Sequence, residues 1–128
     1  MPSIPMGMQC EVMIPMVGDS DRRPHRDATW AWWELKLFEL ADGFTGPQTF
    51  KSLFPVSGVY KDPQRLSVRD ENRHYIICLP LDRVDSLRRL LEEEALAMFD
   101  QKVLYLNVGG HVEFVFPPNA PAVSGGYR

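Results

Sequence analysis

Two short runs on either side of Gly109-Gly110 constrain this chain more than any other feature. Residues 102–108 and 111–116 alternate apolar and polar at period two, the mark of strands with one buried face. Only two glycines separate them, and a Gly-Gly connection of that length is a hairpin signal. The end of the chain is therefore expected to hold an antiparallel strand pair, which needs further strands and a cover to be stable.

The rest of the sequence supplies both. Residues 9–17 read as a first strand, with Cys10, Val12, Ile14 and Met16 on one face and Glu11 on the wetter side. Pro15 lacks an N–H, so a bulge or an unpaired position is expected there. The polar stretch 18–27 follows, with Asp27 placed to cap a helix from Ala28 to Ala41 that ends at Asp42-Gly43. Trp30, Trp33, Leu37, Leu40, Ala41 and Phe44 share one side of that helix at helical spacing, while Trp32 and Leu35 project from the other. Residues 53–60 and 66–79 read as the next two strands. Asp62-Pro63 supplies a turn, and Asp70-Glu71-Asn72 an interruption before Tyr75-Ile76-Ile77-Cys78-Leu79. A second helix is expected over 84–99. Its apolar stripe is Val84, Leu87, Leu91, Ala95 and Met98, with Asp82 or Asp85 at its start. Arg88, Arg89, Glu92 and Glu93 face water, and Glu94 lies near the edge of the stripe.

The order is β-α-β-β-α-β with one more strand. Such an α+β chain is expected to form a ferredoxin-like antiparallel sheet with two helices on one face and an added C-terminal hairpin strand. Residues 1–8 are expected to be disordered, 9–116 to form a single domain, and 117–128 to be a flexible tail. The other sheet face is left bare. It must be solvated, covered by another subunit, or used for a ligand.

Composition narrows the functional classes. Of 128 residues, 45% are hydrophobic and 24% charged, the balance of a globular protein that needs no structural metal. A net charge of −3 argues against a dedicated nucleic-acid binder, which needs an excess of Lys and Arg. No apolar run approaches the length of a membrane span, and the first residues carry no secretory pattern. Cytoplasmic location follows as the default. Cys10 and Cys78, in neither a CxxC pair nor a zinc spacing, are expected as free thiols, close to each other without being bonded.

Three short motifs carry a resemblance: Asp42-Gly43-Phe44-Thr45 after a tryptophan-bearing helix, Gly58-Val59-Tyr60-Lys61-Asp62, and Phe99-Asp100-Gln101-Lys102-Val103-Leu104-Tyr105. Over residues 9–116 the chain resembles an uncharacterised family of small bacterial and phage ferredoxin-like proteins of unknown function. Tyr60 stands where that family usually has tryptophan. The resemblance implies a fold and no activity.

Two constellations stand out. Arg22, Arg23, His25 and Arg26, just before a helix N-terminus, form a candidate site for a small anionic ligand such as a phosphorylated metabolite. The plainer reading is a solvated loop in which Asp19, Asp21 and Asp27 neutralise the arginines. Trp32 and Leu35 form a candidate interface, because a tryptophan left in water is a common anchor. The plainer reading is a chain terminus folded over them. No serine sits in an elbow motif, Cys78 lies in an apolar strand where a thiol is usually inert, and the three histidines lie far apart. No metal, cofactor or catalytic set is therefore assigned. The favoured function is a non-enzymatic binding or assembly module acting as a homodimer. The alternatives are a small-molecule enzyme or anion-binding protein with its pocket at the sheet face or the 18–27 loop, and RNA binding through Tyr75 and Tyr105.

Overall fold

The computed structural model describes residue 3 and residues 7–41, 58–62, 65–70 and 72–118. In chain order the elements are β1 (Met8–Pro15), α1 (Asp27–Ala41), β2 (Gly58–Asp62), β3 (Arg65–Asp70), β4 (Asn72–Leu79), α2 (Val84–Leu90), α3 (Leu96–Met98), β5 (Leu104–Val108) and β6 (His111–Val115). The expected strand segment 53–57, the Asp42-Gly43 stop, Phe44 and residues 119–128 lie outside the described residues. Met8, placed in a disordered start, is already in β1.

Four strands make an antiparallel open sheet in the order β4-β1-β5-β6, and among the described residues β2 and β3 pair with each other in a separate ladder. The stretch read as one strand over 66–79 holds two, β3 and β4, of which the first pairs with β2 and the second with β1. β1 pairs with β4 from Met8↔Leu79 to Pro15↔Asn72 with no shift in register, so the bulge expected at Pro15 is absent. The proline falls on the last pair of the strand, where the missing donor interrupts no continuing ladder. At the other end of the sheet, Gly109 and Gly110 take φ of 57° and 96°, the left-handed conformations that a two-residue turn requires.

The core lies on one face of this sheet. Cys10, Val12 and Ile14 of β1, Tyr75, Ile77 and Leu79 of β4, and Leu104, Leu106 and Val108 of β5 form one buried cluster with helical residues. From α1 come Trp30, Trp33 and Leu37, and from the second helical segment Val84, Leu87, Leu90, Leu91, Ala95 and Leu96. Phe99 joins the two, with its ring 4.9 Å from Trp30 and 6.0 Å from Trp33.

The second helical segment departs from the expected stripe for a local reason. A short 3₁₀ turn (Leu81–Arg83) leads into α2, and a π-turn (Leu91–Ala95) joins α2 to α3. A π-turn holds more residues per turn than an α-turn, so it rotates everything after it about the axis. Leu96 and Phe99 consequently turn inward, and Met98, expected in the stripe, is exposed. Glu94 is turned out as well, 4.0 Å from Lys36. Neither Asp82 nor Asp85 caps the start by a side-chain hydrogen bond. The helices are tied instead by Arg83, whose Nη1 donates to the Leu40 carbonyl of α1 at 2.8 Å.

Candidate functional site

Residues directly opposite in an antiparallel ladder project to the same side, so the register defines the uncovered face row by row. One row crosses all four strands as His74, Met13, Tyr105 and Phe114, and the next as Ile76, Glu11, Asn107 and Val112. Ile76 is 40% exposed, Phe114 47% and Val112 53%, an apolar rim around a more polar centre. The Tyr105 and Phe114 rings meet edge to face with centroids 6.4 Å apart.

At that centre Glu11 and His74 come together. His74 Nδ1 lies 3.2 Å from Glu11 Oε1, although the imidazole is largely buried. Among the described residues its Nε2 has no hydrogen-bond partner. In the tautomer that donates from Nδ1 to the carboxylate, Nε2 is an acceptor with a free lone pair. Asn107 is alongside, its Oδ1 taking the Gly110 N–H at 2.8 Å. No motif joins His74 to Glu11; the β1–β4 register sets them two residues out of step on a shared face. The period-two pattern of each strand was the one signal that pointed to it.

The 18–27 loop is organised differently. Arg22, Arg23 and Arg26 are exposed, and Arg22 takes a positive φ of 56°. His25 is turned away from them. Its Nε2 lies 2.8 Å from the Pro15 carbonyl, and its ring packs edge-on against Trp30 and Phe99. Carboxylates take two of the loop's backbone donors, Ser20 N–H to Asp100 at 2.9 Å and Arg23 N–H to Asp21 at 2.9 Å, and the loop's Asp19 accepts the Lys102 N–H at 2.8 Å. The Ser20 hydroxyl donates to the same Asp100 oxygen. These contacts hold the Asp100 carboxyl below its ordinary range, the Ser20 hydroxyl foremost. Asp100 itself sits at a positive φ of 50°, and the helix closes there: its N–H reaches the Ala97 carbonyl and the Gln101 N–H the Leu96 carbonyl. That is a Schellman closure with aspartate in the usual glycine position, which is why no sequence signal marked it. The helix start differs too. The Thr29 and Trp30 N–H groups both donate to the Arg26 carbonyl, so Arg26 occupies the cap position and Asp27 the first turn.

Of the interface pair, Leu35 is 57% exposed, but Trp32 is half-buried and leans on the core with its ring 6.5 Å from Phe99. Trp32 therefore stands at the core margin rather than opposite it. Tyr75, expected as an exposed aromatic for RNA, lies on the helix-covered face against Trp30 and Trp33. Burial pushes its phenol up to about 12, while its hydroxyl lies 3.4 Å from Glu34 Oε1. Of the two tyrosines, Tyr105 remains on the open face, in the row of His74, Met13 and Phe114.

The two thiols also part company. Cys10 is opposite Ile77 and Cys78 opposite Gln9, so they sit on adjacent positions of paired strands and project to opposite faces. Both are free, Cys10 in the core and Cys78 exposed. Among the described residues no group of three or more His, Cys, Asp or Glu is placed to hold a metal ion. Nor is any helix there long and apolar enough to cross a membrane. No family model matches the chain, and no curated protein or solved structure does.

Proposed function

We propose that this chain is a non-enzymatic binding or assembly module that acts as a homodimer in the cytoplasm. Its four-stranded sheet is read as a ferredoxin-like core in which the β2–β3 ladder stands in for the second strand and β6 is the added hairpin strand. The uncharacterised bacterial and phage family is its proposed kin. One observation carries the function: Ile76, Val112 and Phe114 expose an apolar rim on the side of the sheet that no described helix covers. Burying side chains of this size contributes about 1.5–3 kcal/mol each, so a partner there is favoured. Trp32 and Leu35 on α1 are the secondary contact. The test is sedimentation velocity of wild type and Phe114→Glu, with circular dichroism as the folding control. A wild-type dimer that the substitution weakens supports the reading, and a monomer at high micromolar concentration ends it.

A second reading rests on His74. A buried imidazole oriented by a carboxylate, with its other nitrogen unpartnered among the described residues, suits a small-molecule site that uses Nε2 as a proton acceptor. Titration with inorganic phosphate, followed by the imidazole NMR signals, separates the candidates. Shifts confined to His25 favour the 18–27 loop as an anion site, and shifts at His74 favour the sheet face.

A further inference from the structure

β6 is the last strand of the sheet, and among the described residues its outer side pairs with nothing. The two-residue turn makes Val108 and His111 a hydrogen-bonded pair, and ladder bonds alternate from there. His111, Glu113 and Val115 therefore bond back to β5, while Val112 and Phe114 present their N–H and C=O groups outward. Such an edge is a template for another strand unless Lys, Pro or an inward-pointing charge guards it. β6 reads His-Val-Glu-Phe-Val, without Lys, Arg or Pro. Its one inward charge is Glu113, and Arg88 pairs with it through two bonds, Nε to Oε1 at 2.6 Å and Nη2 to Oε2 at 3.2 Å, while its Nη1 also donates to Asp85 at 2.7 Å. The guard is present and held in an ion pair.

Resting on the homodimer reading above, we infer that the dimer forms by antiparallel pairing of β6 with β6 of a second copy, about a two-fold axis at Glu113. In this register Val112 of each copy faces Phe114 of the other. Both residues are outward-bonding, so these pairs make hydrogen-bonded rings, and an exposed Val is set beside an exposed Phe on the open face. Glu113 then meets its own symmetry mate in a non-hydrogen-bonded pair. Two carboxylates so placed would repel, and each Arg88 lowers that repulsion from within its own chain. The pairing joins two four-stranded sheets into one of eight strands.

Because Cα atoms of a non-hydrogen-bonded pair lie about 4.5 Å apart, they are within disulfide range. In a Cys78→Ser background, Glu113→Cys should oxidise to a covalent dimer on a non-reducing gel. Val112→Cys, displaced from its own mate by two residues, should not. Arg88→Gln should weaken the dimer about fivefold in sedimentation, and Arg88→Gln with Glu113→Gln should restore it. Val112→Pro removes an outward N–H that β5 does not use, so it should abolish the dimer and leave the circular dichroism unchanged. A wild-type dimer that neither cross-links at 113 nor responds to Val112→Pro overturns the edge pairing and leaves the homodimer reading standing. A wild-type monomer overturns both.

Discussion

Both faces of the sheet carry apolar residues, more of them under the helices, and treat them oppositely. Under the helices, Cys10, Val12, Ile14, Ile77, Leu79 and Leu106 are sealed with Trp33 and Phe99. On the other side Ile76, Val112 and Phe114 stand in solvent, while Glu11 and His74 sit lower between them. What tells the faces apart is which side receives the large aromatics of α1, and strand parity assigns every residue to one side or the other.

The largest effect that tests this contrast is in stability. Trp33→Ala should cost roughly 3–5 kcal/mol in urea denaturation, as for other buried aromatics, and Phe114→Ala should stay within about 0.5 kcal/mol for the monomer. Equal costs would mean that the open face is part of the core. Trp33→Phe is a sharper variant, because the indole N–H is buried without a partner among the described residues. It should retain most of the stability.

Next in size is the alkaline limb. Tyr75 has its pKa raised from 10.0 to about 12 by burial, so the folded state keeps its proton where the unfolded state loses it. The resulting stability is fully present below pH 10 and is lost as pH rises toward 12, a decline of about 2–3 kcal/mol. Tyr75→Phe should flatten that decline. An unchanged slope would place the titration elsewhere.

The thiols compare the faces within one strand pair. Burial pushes the Cys10 thiol up, with Arg88 pulling it partly back, whereas Cys78 is exposed. A thiol reagent should modify Cys78 in the native protein within minutes and reach Cys10 only on unfolding. Titration of denatured, unreduced protein should return both groups. Rapid native modification of Cys10 would mean that the covered face opens.

The smallest effect belongs to the 18–27 loop. Because Asp100 is held below its usual value by Ser20, its contribution is present above the unfolded pKa of 3.8 and lost as pH falls through the folded one. Asp100→Asn should cost no more than ~1 kcal/mol in urea denaturation at pH 7 and remove that acid dependence. A larger loss would make the loop a part of the core's support.

Much of the architecture was legible in particular residues. Gly109-Gly110, the alternation in β1, β5 and β6, and Trp30, Trp33 and Leu37 at helical spacing each report a local rule that tertiary contacts did not overrule. The failures were also local in origin. Met98 was misplaced because a π-turn leaves no mark in an apolar stripe, and the helix closure at Asp100 went unmarked because aspartate fills the usual place of glycine. Trp32 lies at the core margin because Phe99, distant in sequence, gives its ring a place to rest.

The candidate site divides along the same line. Sequence by itself determined which residues of each strand share a side, since the alternation of side chains is a property of a single extended chain. Only the tertiary structure decided that His74 lies beside Glu11, that Glu113 is paired with Arg88, and that Cys10 and Cys78 face opposite ways. Those facts depend on the register between strands and on the seating of a helix over an edge. Pairing registers and helix seating are set by the packing of the whole core, where a one-residue slip would exchange the two faces.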